Sequence, residues 1–141
     1  VEIFESVRDV WPAEKPLGIR ISATDGIEGG WNINESAELC SELKRLGCDY
    51  ATVSSGVLSG AQKIAISEGH QVALATRIRI ETGLPVMAIG MINRAEHTDQ
   101  IIATGQADMI AIAPEECSST PIGPGERRSH LKRKSIRHLN T

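Results

Sequence analysis

The chain has 141 residues, 40% hydrophobic and 23% charged, enough for one ordinary domain with a core and too apolar for a disordered polymer. A formal charge of −3 argues against a nucleic-acid partner, and with no apolar run of transmembrane length no membrane partner is expected. Aromatic residues make up only 3%, so the core must be aliphatic.

Residues Glu2 to Val10 read as the end of an amphipathic helix, with Ile3, Val7 and Val10 on its apolar face and Trp11-Pro12 as the stop. Leu17 to Ser22 reads as a strand. Leu17, Ile19 and Ile21 fall on one face and Gly18, Arg20 and Ser22 on the other. An arginine inside an aliphatic run needs an anion, a polar ligand or a carboxylate, because an unpaired buried guanidinium costs several kcal/mol. Arg20 is therefore expected to face either a cofactor or a structural carboxylate.

A Gly-rich loop from Asp25 leads to Asn34, read as the cap of a helix running from Glu35 to Leu46. Leu39, Cys40, Leu43 and Leu46 form its stripe and Gly47 ends it. Tyr50 to Ser54 is the second strand, and a long loop to about Gly69 follows. The next helix runs from Gln71 to Thr82 with Gly83 as the stop, and Pro85 to Ile89 is the third strand. Asn93 is placed as the cap of a helix from Arg94 to Thr104, ended by Gly105, and Asp108 to Ala113 is the fourth strand.

The pattern β-α-β-α-β-α-β argues for parallel strands buried on both faces. An open doubly wound sheet and one half of a (β/α)8 barrel both fit. In either fold ligands bind at the carboxyl ends of the strands. Arg20 with Ser22, Ser54-Ser55-Gly56, Gly90-Met91 and Ala113 sit there. Amides after the last barrel strands commonly hold a phosphate, which makes Gly90 a candidate contact, with a plain chain turn as the alternative. No Ser-His-Asp order, HExxH or usefully spaced carboxylate pair occurs. Three cysteines (Cys40, Cys48, Cys117) without a CxxC suggest neither disulfides nor a metal, and a cytoplasmic setting fits.

Residues 1–113 are thus expected to form one α/β unit. Residues 114–141 are expected to be a basic, disordered tail, with six Lys/Arg against three Glu. No aromatic residue accompanies those cations to stack on bases.

The stretch Gly18-Ile19-Arg20-Ile21-Ser22-Ala23-Thr24-Asp25, followed by Glu28-Gly29-Gly30-Trp31, resembles the fifth strand and loop of the old yellow enzyme family, in its bacterial NADPH dehydrogenase branch. Asp49 to Gly56, Gln62-Lys63-Ile64, Gly69-His70-Gln71-Val72, Pro85 to Ile92 and Gly105 to Ile112 continue the likeness in order. The resemblance implies that this chain supplies strands five to eight of an α/β TIM barrel. It implies non-covalent FMN, reduced by NAD(P)H and reoxidised by a small α,β-unsaturated substrate. It places Arg20 near the flavin N1 and C2 oxygen; Gly90, Met91 and Ala113, at the other strand ends, are the remaining candidate cofactor-binding positions. A homo-oligomer fits the same picture.

Two departures matter. The family's Gly-Arg after strand eight is Ala113-Pro114 here, and from there the likeness is expected to end, as if unrelated sequence were joined. The family's substrate-binding His pair and proton-donating Tyr belong to earlier strands, so no catalytic residue is expected in this piece of a longer enzyme, and alone it should be inactive. A truncated non-catalytic remnant, or a piece of another FMN- or phosphate-binding barrel, is the alternative.

Overall fold

The computed structural model describes residues 1–56 and 67–112. Four strands form one parallel sheet in the order β1 (Gly18–Ser22), β2 (Tyr50–Ser54), β3 (Val86–Ala88) and β4 (Met109–Ile110). Before each strand lies a helix: α1 (Glu2–Val10), α2 (Ile33–Arg45), α3 (Val72–Thr82) and α4 (Ala95–Ala103). The fold is mixed α/β, as the alternation predicts. The third and fourth strands are shorter than expected, and the Ala113 and 114–141 assignments lie outside the described residues.

Register gives the sheet two unlike faces. Ile19 aligns with Ala51 and Val86, and Ile21 with Val53, Ala88 and Ile110. This face meets the helices: Cys40 and Leu43 of α2, Ala75 and Ile78 of α3 and Ile101 of α4 belong to the same core. The opposite face carries Gly18 beside Tyr50, then Arg20, Thr52, Met87 and Met109 in one row, then Ser22 beside Ser54. Arg20 and Ser22 on it are exposed. Gly18 is required there, because an added Cβ would fall 2.5 Å from the Tyr50 ring.

Three expectations need correction. The predicted apolar face of α1 points to solvent: Ile3 and Val10 are each 81% exposed, and Phe4 is the residue that enters the core. The sheet lies on the Phe4 side, and hydrophobicity alone does not say on which side of a helix the sheet lies. Asn32, not Asn34, caps α2. Its side chain accepts from the Asn34 and Glu35 N–H groups while Glu35 accepts from the Asn32 N–H, a reciprocal capping box. Asn34 instead accepts from Arg77 of α3. The cap position of α4 is held by Arg94, with no side-chain cap, rather than by Asn93.

Asn32→Ala is expected to cost about 1 kcal/mol, read as a lower urea midpoint, whereas Asn34→Ala should leave the helix start intact. The left-handed glycine stops stand as predicted at Gly47, Gly83 and Gly105.

Candidate functional site

Hydrogen bonds continue past the strand ends and join the carboxyl rim of the sheet. Ala23 N–H donates to the Ser54 carbonyl at 2.6 Å, Gly56 N–H to Thr24 and Ala111 N–H to Ala88. The Ser54 hydroxyl donates to the Ile21 carbonyl at 3.1 Å. The loop after β1 closes on itself. Asp25 accepts from the Trp31 N–H at 2.9 Å, and the Trp31 indole donates to Ser36, whose hydroxyl donates to the Ala23 carbonyl. Asp25 thus serves as an acceptor that closes the loop.

Arg20 departs from the sequence expectation: it is exposed rather than enclosed, since among the described residues the helices pack on the other face of the sheet. Among the described residues it also has no carboxylate partner, while Arg8, Arg45, Arg77, Arg79 and Arg94 all do. The structural-carboxylate alternative thus finds no partner for Arg20 among the described residues. Its row on the sheet continues with Thr52, Met87 and Met109, uncharged and mostly apolar side chains. That arrangement suits a flat ligand with electron-rich oxygens and nitrogens along one edge.

Gly90 and Met91 form an irregular turn after β3. Gly90 has φ +111° and Met91, unusually for a residue with a side chain, φ +54°. The Gly90 carbonyl accepts from the Gly69 N–H at 2.8 Å, and the N–H groups of Met91 and Ile92 donate to no backbone carbonyl among the described residues. An added Cβ on Gly90 would crowd Gln71 at 3.1 Å. Two unengaged donors on a turn built for a glycine fit an oxyanion such as a phosphate.

Beside this turn stands a cluster that sequence reasoning missed. Glu68 accepts from Arg94 Nε at 3.0 Å and lies 3.0 Å from His97 Nδ1. The Arg94 hydrogen bond, with His97 behind it, holds the Glu68 carboxyl below the usual carboxylate range. Glu68 stands 26 residues before Arg94 and 29 before His97, and no motif links it to them. His97 is thus a structural partner, and His70 bonds the Ser67 carbonyl nearby. Cys40 is buried, and burial raises its thiol to about 11, so it is not a nucleophile at neutral pH. A groove of about 420 Å³ along α3, lined by Ala73, Thr76, Arg77, Ile80, Glu81 and Gln106, contains no strand-end residue and lies apart from this chemistry. Among the described residues no helix is long and apolar enough to cross a membrane, and no His, Cys, Asp and Glu cluster could hold a metal.

Comparison with known proteins adds an independent finding. Residues 1–118 match the family model described as NADH:flavin oxidoreductase / NADH oxidase. The chain is 37% identical over 116 residues to an NADPH dehydrogenase of Clostridium acetobutylicum, covering 81% of this chain and 33% of that protein. It is 33% identical over 114 residues to one of Geobacillus thermodenitrificans, with the same two coverages. Likeness to the Bacillus velezensis NADPH dehydrogenase, 31% over 140 residues, covers 99% of this chain and 38% of that protein. That alignment runs past Pro114, where the sequence reading ended the likeness. The chain spans about a third of the length of the curated relatives it matches.

Proposed function

Since the chain belongs to the FMN-dependent NADH:flavin oxidoreductase / NADH oxidase family, we propose that it forms strands five to eight of an FMN-binding (β/α)8 barrel that passes hydride from NAD(P)H to an activated alkene. Two features of the sheet support a barrel over a doubly wound sheet. The strands run in unbroken chain order with no reversal, and the helices share one face. In a closed barrel the row containing Arg20 would face inward.

When bound, FMN supplies the hydride chemistry, and the protein supplies binding and electrostatics. Arg20 would hold the flavin's N1 and C2 oxygen edge with a fixed positive charge. The Met91 and Ile92 N–H groups would hold the phosphate, with Gly90 allowing close approach. Ala113 stands where the family's pattern has a glycine, and Pro114 brings neither an amide donor nor a charge to that place. The phosphate therefore depends more heavily on the Gly90 turn. The partner is a small α,β-unsaturated compound, and the setting is cytoplasmic.

The observation that carries this reading is Arg20, which among the described residues has no carboxylate partner and stands on the face of the sheet opposite the helices. Its test is to join the chain to the first two thirds of the Clostridium acetobutylicum relative. The joined protein is expected to retain yellow FMN through gel filtration and to oxidise NADPH with cyclohexenone. A colourless, inactive but folded product overturns the reading.

The 141-residue chain alone should bind FMN poorly. One edge each of β1 and β4 lies unpaired, and the Arg20 face lacks the other half of a barrel. Fluorescence titration should show no micromolar quenching; a micromolar Kd with a shifted flavin spectrum contradicts this.

A further inference from the structure

We infer that Gln71 is a positioning residue for a phosphate, setting the Gly90–Met91 turn so that its free amides face the anion; this rests on the phosphate role proposed for that turn. Gln71 is a polar side chain only 8% exposed, standing at the cap position of α3. It does not cap the helix with its side chain. Instead its amide nitrogen donates to the Ser55 hydroxyl at 2.8 Å, with the Ser55 carbonyl at 3.5 Å. Its Oε1, Cβ and Cγ lie 3.1 to 3.3 Å from where a Gly90 Cβ would be. One side chain thus spans the ends of β2 and β3.

The consequence follows from peptide geometry. The Gly90 carbonyl is drawn toward Gly69 N–H at 2.8 Å. In a trans peptide the next N–H points the opposite way, and no cis bond occurs among the described residues. The Met91 N–H therefore points away from the Gly69 turn. Gln71 packs against Gly90 and blocks the peptide from rotating inward. Gly69 sets the carbonyl, Ser55 anchors the Gln71 amide, and the positive φ of Met91 is held between them. Removing the Gln71 amide would free the turn to relax to an ordinary φ and turn the donor away. A buried polar group used this way trades helix capping for control of a strand-end turn.

The test uses the whole 141-residue chain, 15N-labelled and titrated with inorganic phosphate against chloride of equal ionic strength. In the parent the Met91 and Ile92 amide resonances are expected to move saturably. Gln71→Met keeps the side chain's length and removes its amide, and is expected to weaken phosphate binding by up to about tenfold, the effect of one lost neutral hydrogen bond. Thr76→Ala removes a hydrogen bond from the same helix to the Gln106 carbonyl. It should loosen α3 without changing phosphate affinity. Equal affinity in Gln71→Met and parent, or an equal loss in Thr76→Ala, overturns the positioning role and leaves the phosphate reading standing. No saturable shift at Met91 and Ile92 in the parent overturns the phosphate reading, and the role of Gln71 with it.

Discussion

Arg20→Met in the joined, complete barrel is expected to weaken FMN binding by about 10- to 150-fold, equivalent to about 1.5–3 kcal/mol for a hydrogen bond to a charged group. The contact is charge-assisted and two-pronged, since a planar guanidinium can face a ring nitrogen and a carbonyl oxygen together. Arg20→Lys should recover only part of the loss, because an ammonium keeps the charge but not the fork. The reduction potential of the bound flavin should fall in Arg20→Met, since a nearby cation favours the electron-rich form, and change less in Arg20→Lys, which keeps the charge. Stability of the 141-residue chain should hardly change in Arg20→Met, because there Arg20 is exposed and has no carboxylate partner among the described residues, so its loss breaks no ion pair and opens no cavity. That separation makes the result specific: fluorescence quenching of the joined protein measures affinity, and urea unfolding of the 141-residue chain measures the fold. An Arg20→Met protein with parental affinity would remove the main support for the proposed function.

Ile78→Ala is expected to cost about 2–5 kcal/mol, the range for truncating a buried aliphatic side chain. Ile78 has no exposed surface and is among the largest fully buried side chains of the core. With Val72 and Ala75 it forms the stripe by which α3 meets the sheet. Domain stabilities commonly total about 5–15 kcal/mol. Among the described residues one face of this sheet carries no helix, which puts the chain at the low end, so the variant should lose most of its cooperative urea transition. Ile80 lies two residues on and is 72% exposed, and Ile80→Ala should shift stability by no more than about 0.5 kcal/mol. Similar losses in the two variants would show that α3 does not pack as described.

The legible parts of this chain are those whose physics is local. The helix stops at Gly47, Gly83 and Gly105 depend on a φ that glycine adopts freely, and each could be read from one residue and its neighbours. The strands of the sheet were legible from short aliphatic runs, though their lengths were not, because pairing partners decide where a ladder ends. Caps were harder. Asn32 and Asn34 carry the same side chain, and only the reach back from Glu35 selects the first. The α1 stripe failed for another reason. Ile3, Val7 and Val10 are apolar at helical spacing, yet Phe4 is the residue the core accepts.

By itself the sequence determined the alternation of elements, the aliphatic character of the core and the presence of one arginine out of place in a strand. These follow from backbone preference and side-chain period, which act over a few residues. Only the tertiary structure decided that Arg20 meets no acid among the described residues, that Glu68, Arg94 and His97 come together, and that Gln71 joins Ser55 to Gly90. Each of these depends on where separate strand ends stop in space. Hydrogen bonds and ion pairs reach only about 3–4 Å, so which groups meet is set by sheet register and loop path rather than by any pattern along the chain.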